Sequence, residues 1–538
     1  MTLLDIRKLS LSIHGKPILK EVSLTLEPGE ITALTGESGS GKSMTAFATI
    51  GLLPKGSVAE GSVRFNGVNL LTQSERDLCA LRGRDISMVF QEPMTALNPV
   101  QSIGQQVAET ILVHKAMPRD EAEQRTHTVL ERVGLPQDRF PLSRYPHELS
   151  GGQRQRVVIA MAIALRPKLL IADEPTTALD VTTQAQILDL LRDLAREQDM
   201  ALMMITHDLA VVSEMADSLN VMRHGEIVEA GPTQKVLQNM QHPYTRQLFE
   251  ASRHKATLDH VDAAEPLLSV QSVSRDYSLP RTKIFGARPT FRAVNSVSFD
   301  IKRGERVGLV GESGCGKSTL TRAILGLEPT QEGHITLAGE PVWQNGHPNL
   351  HVRRKMQVVF QDPYGSFNPR HRVARLIAEP FHLLETKPTG AERDRAVADA
   401  LTAVGLKPAD ADKHIHAFSG GQRQRIAIAR ALIIRPELIV FDEAVSALDV
   451  RVRAQILDLM ADLSREYGLT YLFISHDLSV VRSITDRVLV MRAGEIVEDR
   501  PTDAIFDAPR HPYTRALIDA APHLPNILEV QNAANSSV

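Results

Sequence analysis

Gly36-Glu-Ser-Gly-Ser-Gly-Lys42-Ser43 is the most informative stretch of the sequence. It fits the phosphate-binding P-loop pattern G-x-x-x-x-G-K-[ST] and stands between an apolar run, Ile31–Thr35, and a helix-like segment, residues 43–53. Glycines let backbone N–H groups converge on phosphate oxygens, and the following helix adds a partial positive charge at its N-terminus. The sequence therefore predicts an α/β domain with a phosphate site at the end of a buried strand.

The same pattern recurs as GESGCGKS at residues 311–318, and later motifs recur after it in the same order. The recurring motifs are SGGQRQR from Ser150 and Ser419, an apolar run ending at Glu174 and Glu443, His-Asp-Leu from His207 and His476, and HPYTR from His242 and His511. Their separation is constant apart from one short change in length. A long repeat of this kind indicates a duplicated domain rather than a solenoid. We predict a first domain over residues 1–252, a linker over 253–265, a second domain over 266–530 and a tail over 531–538.

Composition excludes several classes of protein. The 538 residues carry a net charge of −3, with 43% hydrophobic and 23% charged residues, which is typical of folded domains. The near-neutral charge argues against a nucleic-acid partner. No apolar run is long enough to span a membrane, no signal peptide is evident, and two cysteines, Cys79 and Cys315, cannot build a disulfide framework or a four-cysteine cluster. We expect a soluble cytoplasmic chain of several domains.

The two P-loops predict two sites for ATP with Mg²⁺. Lys42 and Lys317 are expected to reach the β- and γ-phosphates, and Ser43 and Ser318 to hold the metal. The residues expected to line the nucleotide are Gly36, Glu37, Ser38, Gly39, Ser40, Gly41, Lys42, Ser43 and Met44 in the first copy, and Gly311, Glu312, Ser313, Gly314, Cys315, Gly316, Lys317, Ser318 and Thr319 in the second.

Acidic and histidine residues follow the other apolar runs of each copy. Asp173 and Asp442 are expected to organise the shell of Mg²⁺. Glu174 and Glu443 come next, where a carboxylate can act as general base on the attacking water or polarise it. The matched histidines, His207 and His476, are expected to contact the γ-phosphate.

The segments Leu149-Ser-Gly-Gly-Gln153 and Phe418-Ser-Gly-Gly-Gln422 resemble the signature of ATP-binding cassette (ABC) ATPases, and the resemblance covers nearly the whole chain twice. It implies two tandem nucleotide-binding domains, each with a RecA-like α/β core, a helical subdomain and an antiparallel β subdomain. It also implies Q-loops at Gln91 and Gln361, which would act in catalysis and at the metal, and D-loops at residues 178–180 and 447–449.

In this family two domains meet head to tail, so that each signature covers the nucleotide of the other. The resemblance therefore pairs Lys42 with the second signature and Lys317 with the first. The signature residues expected to bind nucleotide are Ser150, Gly151, Gly152 and Gln153, with Ser419, Gly420, Gly421 and Gln422. Their physical basis is a helix N-terminus that presents N–H groups to a phosphate.

HPYTR, QEPMTALNP (residues 91–99) and QDPYGSFNP (361–369) resemble motifs of oligopeptide and dipeptide importer ATPases. Fused ATPases of this branch look like those of peptide, glutathione or microcin C uptake. The implied partners are two integral-membrane permeases and, indirectly, a substrate-binding protein, with the chain at the cytoplasmic face of the bacterial inner membrane. The cysteine cluster of some relatives is missing, so we predict no iron–sulfur cluster.

Tandem ABC proteins that act on ribosomes are the alternative, although their long charged linker is not evident here. A DNA-repair ATPase would need long insertions or zinc-type cysteines.

The two predicted sites also differ. The family resemblance implies that Tyr277 stacks on adenine in the second site, where the first has only His14, a smaller platform. Thr319 follows Ser318 where Met44 follows Ser43, so the first site has one hydroxyl fewer for phosphate. Ala444 follows Glu443 where Pro175 follows Glu174, and we have no physical account of that difference. Our hypothesis is that both sites hydrolyse ATP and that the Lys42 site binds it more weakly.

Overall fold

The computed structural model of the chain describes residues 2–91, 96–177, 179–259, 265–279, 288–362, 365–446 and 448–524. Within these ranges the chain forms two copies of one α/β unit, in the order of the sequence repeat. The predicted tail lies outside the described residues, as do residues 525–530, the 260–264 part of the predicted linker, and Ala178 and Ala447 of the D-loops.

The first half is built from alternating strands and helices. Its strands are Leu4–Ile13 (β1), Lys16–Leu26 (β2), Ile31–Thr35 (β3), Ser57–Phe65 (β4), Val68–Asn69 (β5), Ile86–Val89 (β6), Leu169–Asp173 (β7), Ala201–Ile205 (β8), Ser218–Arg223 (β9) and Glu226–Pro232 (β10). Its helices are Lys42–Thr49 (α1), Glu75–Leu81 (α2), Ile103–Val113 (α3), Arg119–Arg132 (α4), Gly151–Ile163 (α5), Val181–Glu197 (α6), Leu209–Met215 (α7), Thr233–Asn239 (α8) and Pro243–Ser252 (α9).

The second half follows the same plan. Its strands are Pro266–Ser278 (β11), Thr290–Lys302 (β12), Arg306–Val310 (β13), Glu332–Leu337 (β14), Glu340–Pro341 (β15), Trp343–Gln344 (β16), His347–Pro348 (β17), Met356–Val359 (β18), Leu438–Asp442 (β19), Thr470–Ile474 (β20), Arg487–Arg492 (β21) and Glu495–Pro501 (β22). Its helices are Lys317–Ile324 (α10), Leu350–Arg354 (α11), Val373–Ile377 (α12), Gly390–Ala403 (α13), Gly420–Leu432 (α14), Val450–Tyr467 (α15), Leu478–Ile484 (α16), Thr502–Asp507 (α17) and Pro512–Asp519 (α18).

A mostly parallel sheet forms the centre of each half. The strand order is β10-β9-β3-β8-β7-β6 in the first half and β18-β19-β20-β13-β21-β22 in the second. All pairs are parallel except those of the edge strands β10 and β22. Every residue of β3, β7 and β8 is buried, as expected for parallel strands covered on both faces. Their carboxyl ends therefore meet at one edge, which carries the P-loop and the acidic residues.

Two smaller layers complete each half. An antiparallel sheet has the order β2-β1-β4-β5 in the first half and β12-β11-β14-β15 in the second. Helices α3, α4 and α5 pack together through buried residues such as Ile103, Val129 and Val157. These layers confirm the predicted α/β fold class of two cassettes, each with a core, a helical part and an antiparallel sheet. No helix in the described ranges is both long and apolar enough to cross a bilayer.

The halves meet through the end of the first and a long helix of the second. Helix α9 packs against α15, and Ala256, just beyond α9, belongs to the core of the second half. The Asp259 carboxylate accepts the Nε–H of Arg465 on α15 at 2.8 Å. The described part of the predicted linker, residues 253–259, therefore lies along α15.

Candidate active site

The first P-loop connects the carboxyl end of β3 to the first turn of α1. Gly36 has φ of +149°, and an added Cβ there would lie 2.2 Å from the carbonyl oxygen of Met222, so only glycine fits. The Lys42 ammonium is buried and donates to the carbonyl oxygens of Gly36 and Glu37 at 2.8 and 3.0 Å. Burial lowers the pKa of Lys42, although Glu174 and Asp173 act in the opposite direction. The loop therefore holds a cation at a strand end.

The second P-loop repeats this geometry. The Lys317 ammonium donates to the carbonyl oxygens of Gly311 and Glu312 at 2.7 and 2.9 Å. The Cys315 thiol is buried 3.9 Å from that ammonium, and burial raises the pKa of the thiol. Cys315 therefore fills a small position inside the loop.

Asp173, the last residue of β7, lies beside the start of α1. Burial raises the pKa of its carboxyl group, and the hydrogen bond with the Ser43 hydroxyl acts against that rise. In the second half burial, followed by the charge of Glu443, likewise raises the pKa of Asp442. In the first half a hydroxyl and a carboxylate are thus adjacent, which is the hard oxygen donor set that Mg²⁺ prefers.

Glu174 is the meeting point of the first site. Its Oε2 accepts hydrogen bonds from Gln91 Nε2 at 2.7 Å and from Thr177 Oγ1 at 3.0 Å, and its Oε1 lies 3.2 Å from His207 Nδ1. Burial alone would raise the pKa of Glu174, but the hydrogen bonds and charges of His207, Thr177 and Lys42 outweigh burial and lower it to about 2. The structure therefore holds an ionised carboxylate beside the P-loop.

The second site pairs Glu443 with His476, whose Nδ1 lies 3.4 Å from Glu443 Oε1. Burial raises the pKa of Glu443, but the hydrogen bond and charge of His476 outweigh it, so the pKa lies below its usual value. Burial lowers the pKa of His476, whereas Glu443 and Asp477 raise it to a net value above the ordinary one. Ser446, which matches Thr177, donates to the backbone carbonyl of Glu443 instead of its carboxylate.

The Glu443–His476 pair is expected to make the stability of the fold depend on pH. A histidine whose folded pKa is raised stabilises the fold fully below its unfolded pKa of about 6.5, and the effect is lost as pH rises through the folded pKa. His476→Gln is therefore expected to lower the thermal midpoint more near pH 6 than near pH 8.5. The exposed His347→Gln is the control. Equal losses of midpoint for His476→Gln at both pH values would contradict the pairing.

The glutamates of both candidate sites have a left-handed backbone that the sequence did not reveal. Glu174 has φ of +48° and Glu443 φ of +50°, a region that costs non-glycine residues free energy and is enriched at functional sites. The backbone N–H groups of these residues bond to the last residues of β8 and β20. The strand ends therefore fix the strained conformation and the direction of each carboxylate.

The D-loop aspartates cross between the halves. Asp180 caps α6 and lines a cavity of about 280 Å³ over the second P-loop, together with Lys317 and Tyr277. Asp449 caps α15 and lies with Glu37 in a small pocket of the first P-loop. Each half thus places its D-loop aspartate at the P-loop of the other, which is a head-to-tail arrangement.

A cross-half ion pair is present at the first P-loop and was missed by the sequence reasoning. Arg451 Nη1, in the first turn of α15, lies 2.6 Å from Glu37 Oε1. The matched residue of the first half is Thr182, a side chain that carries no charge to pair with Glu312. Comparison of the two repeats shows the difference in residue type, but it does not identify the partner.

We expect Arg451→Thr and Glu37→Gln each to weaken nucleotide binding at the Lys42 site about two- to fivefold, as for a partly exposed ion pair. The measurement is a nucleotide titration of protein that also carries Lys317→Ala, so that the Lys42 site is observed alone. The double variant should be no weaker than either single variant. Fully additive losses, or an equal effect of Arg451→Thr in Lys42→Ala protein, would contradict a direct pair.

The signature residues form helix caps. Ser150 Oγ accepts the Gln153 N–H at 3.3 Å, and the Gln153 side chain accepts the Ser150 N–H at 3.0 Å. Ser419 and Gln422 form the same capping box in the second half. Across the described ranges no hydrogen bond or ion pair is seen between either signature and the opposite P-loop, so the predicted pairing stays a prediction. The structure brings the D-loops, rather than the signatures, to the opposite P-loops.

The predicted adenine platforms also differ in their surroundings. The Tyr277 hydroxyl donates to Glu328 at 2.6 Å, and the Arg275 guanidinium lies 5.0 Å over its ring. His14 is turned against Gly56, where an added Cβ would lie 2.5 Å from the imidazole. Gln361 lines a groove of about 760 Å³ with Phe360, next to Ser318 and Asp442 of the second site.

Two P-loop cassettes in one chain, each with its D-loop aspartate beside the P-loop of the other, define the class of tandem ATP-binding cassette proteins. A family model described as "ABC transporter" matches residues 19–177 and 294–446, and one described as "Oligopeptide/dipeptide transporter, C-terminal region" matches 228–265 and 497–536. The chain therefore belongs to the ABC transporter family, and its predicted ATPase class is confirmed.

Two related ATP-binding proteins agree with this assignment. The chain is 46% identical over 527 residues to the peptidoglycan transport ATP-binding protein YejF of Agrobacterium fabrum, with 96% of each chain covered. It is 45% identical over 538 residues to the glutathione import ATP-binding protein GsiA of Pectobacterium atrosepticum, over 94% of this chain and 86% of the relative. A solved dimeric cassette in a post-hydrolysis state with ADP and Pi is 27% identical, covers 44% of this chain and 99% of its own, and has a TM-score of 0.39.

Proposed function

We propose that this chain is the ATP-hydrolysing, energy-coupling subunit of an importer for peptides or peptide-like compounds, with two composite ATP sites between its halves. The observation that carries the proposal is the oligopeptide/dipeptide transporter region at the end of each cassette. The relatives named for peptidoglycan transport and glutathione import support a peptide-like cargo. The same region favours an importer over a ribosome-acting ATPase.

At each site the P-loop lysine binds the β- and γ-phosphates and the glutamate acts on water. In the first site two donors already occupy Oε2 of Glu174, whereas His207 is the contact of Oε1 among the described residues. A carboxylate oxygen with one donor has capacity for another, so Oε1 can accept a hydrogen bond from the attacking water. Gln91 and His207 orient this carboxylate and are positioned to follow the γ-phosphate.

The donor set also fits Mg²⁺. The Asp173 carboxylate and the Ser43 hydroxyl beside it supply two hard oxygen groups. The Gln91 amide is close to them, because it donates a hydrogen bond to Glu174, the residue that follows Asp173. The corresponding residues of the second site are Ser318, Asp442 and Gln361. When bound, Mg²⁺ neutralises phosphate charge and orients the γ-phosphoryl group.

Closure of the halves would complete each site. The D-loop crossing supports a pairing of Lys42 with Ser419 and Gly421, and of Lys317 with Ser150 and Gly152. A helix N-terminus is a favourable neighbour for phosphate, so ATP that bridges a P-loop and the opposite signature favours the closed state. Hydrolysis removes that bridge.

Permeases are the expected membrane partners. The groove beside Gln361 exposes Phe360, and Phe90 is exposed next to Gln91 in the first half. We propose that the surface around each of these phenylalanines receives a short helix of one permease, so that Gln91 and Gln361 connect permease movement to the ATP sites. This contact would hold the chain at the inner face of the bacterial inner membrane, and a substrate-binding protein would select the cargo.

The test is co-purification of the tagged chain from gently solubilised cells, with identification of every partner. Recovery of two polytopic permeases with one ATPase chain is the expected result. Recovery of ribosomes without any permease would overturn the importer proposal and leave the ATPase class intact.

A further inference from the structure

The HPYTR motif places one tyrosine of each half beside the P-loop of the same half. The Tyr244 hydroxyl accepts the backbone N–H of Glu37 at 3.0 Å. In the second half the Tyr513 hydroxyl accepts the N–H of Glu312, also at 3.0 Å. These glutamates are the second residues of the two P-loops, and their carbonyl oxygens accept the P-loop lysine. Each tyrosine therefore holds the residue against which the lysine is bound.

Both tyrosines are fixed by their surroundings. Tyr244 is 1% exposed and Tyr513 is 8% exposed. The Arg223 guanidinium lies 4.8 Å over the Tyr244 ring, and Arg492 lies 5.0 Å over the Tyr513 ring. In each motif the histidine Nδ1 accepts the backbone N–H of the tyrosine at 3.1 Å. A side chain fixed in this way can set the position of the loop that it contacts.

The base of each motif is bound to the last strand of its own sheet. The Glu229 carboxylate, on β10, accepts the N–H groups of Gln241 and His242 at 2.7 and 3.1 Å. Glu498, on β22, accepts the matched pair of N–H groups in the second half, each at 3.0 Å. Two copies of the repeat thus preserve one continuous connection from the sheet edge through the motif to the P-loop.

The same extensions contact the opposite half. Helix α9, which carries Tyr244, packs against α15, and His254 Nε2 lies 2.6 Å from Asp458 on that helix. Beyond α18, the N–H of His523 donates to Glu214 on α7 at 2.7 Å. Each extension therefore touches its own P-loop at one end and the other cassette at the other.

We propose that Tyr244 and Tyr513 are positioning residues for ATP binding, and that they connect each P-loop to the contact of its extension with the opposite half. This inference rests on the proposed ATPase function and assigns the HPYTR motif a part in the ATP site. Phenylalanine would keep the ring and leave a partly buried P-loop N–H without its acceptor, so the loop would lose its fixed position.

Tyr244→Phe and Tyr513→Phe are each expected to weaken ATP binding at their own site, on the order of three- to tenfold. The measurement is a titration with a fluorescent ATP analogue, with one site observed at a time. Tyr244→Phe is placed in Lys317→Ala protein and Tyr513→Phe in Lys42→Ala protein. Exchanging these backgrounds is expected to remove most of the effect.

The matched control is Tyr471→Phe. Tyr471 is also buried, and its hydroxyl donates to the carbonyl oxygen of Ile484 at 2.5 Å, away from both P-loops. This variant should lower the thermal midpoint and leave ATP affinity unchanged. ATP affinities of Tyr244→Phe and Tyr513→Phe equal to those of their parents would overturn the tyrosine proposal. Failure of the parent proteins to bind ATP would instead count against the proposed function.

Hydrogen exchange gives a readout that does not depend on ATP. The peptide that covers residues 36–43 is expected to exchange faster in Tyr244→Phe than in Tyr471→Phe, because Glu37 has lost the acceptor of its N–H. The peptide over residues 311–318 should be unaffected in Tyr244→Phe. Equal exchange of the first peptide in both variants would overturn the positioning role even if overall stability differed.

Discussion

Replacement of Glu174 or Glu443 by glutamine is expected to slow ATP turnover by about 10²-fold or more while leaving ATP bound. Each carboxylate is partly buried beside a P-loop, and the hydrogen bond and charge of its histidine lower its pKa, so it can accept a hydrogen bond from the attacking water. Glutamine keeps the size of the side chain and loses the negative charge. The variants should therefore accumulate in a closed, ATP-bound state, measured as retained nucleotide and phosphate release.

An exposed glutamate far from the candidate sites in sequence provides the control for both variants. The exposed Glu123→Gln on α4 should hydrolyse ATP like the unaltered protein. If either Glu174→Gln or Glu443→Gln kept unchanged turnover, that glutamate would have no part in the mechanism. A variant that lost bound ATP as well as turnover would point to a structural role instead.

Lys42→Ala and Lys317→Ala are each expected to reduce ATP affinity at their own site by about tenfold or more, since each removes a charge-assisted hydrogen bond to phosphate. The site that remains should differ between the two proteins. The Lys42 site is expected to be the weaker one by about fivefold, because the second cavity contains Tyr277 and Thr319. A stacked ring and one hydroxyl bond are together worth about 2 kcal/mol. The cross-half pair of Arg451 acts in the other direction and removes at most about 1 kcal/mol of that advantage, so about fivefold remains.

Separate titrations of the two proteins measure this difference. Equal affinities of the remaining sites would contradict the asymmetry. Tyr277→His in Lys42→Ala protein is the matched variant, since it gives the second site the residue type of the first. It should move the affinity of the Lys317 site toward that of the Lys42 site.

The fold followed from the sequence because its determinants are local. Apolar runs such as Leu169–Asp173 form buried strands. Position 36 requires glycine, because a Cβ there would collide with the backbone carbonyl oxygen of Met222. Because the motifs occur twice in the same order, each local prediction for the first half also applies to the second. The acidic residues and histidines meet in space because parallel strands end at one edge of the sheet.

Contacts between distant segments were not predictable from one sequence. Arg451 and Glu37 are 414 residues apart, and nothing in the composition of either segment links them. The left-handed backbone of Glu174 depends on a hydrogen bond to the end of β8. HPYTR was evident as a marker, but the contact of Tyr244 with the P-loop depends on how α9 lies against the central sheet.

The most direct test of the composite sites is to ask which P-loop each signature serves. Ser419→Arg puts a bulky cation at the second signature, and vanadate trapping of a photoreactive ATP analogue shows which P-loop peptide is labelled. We expect label to be lost from the peptide containing Lys42 and retained on that containing Lys317, with the reverse result for Ser150→Arg. Loss of label from the P-loop of the same half as the altered signature would contradict the account.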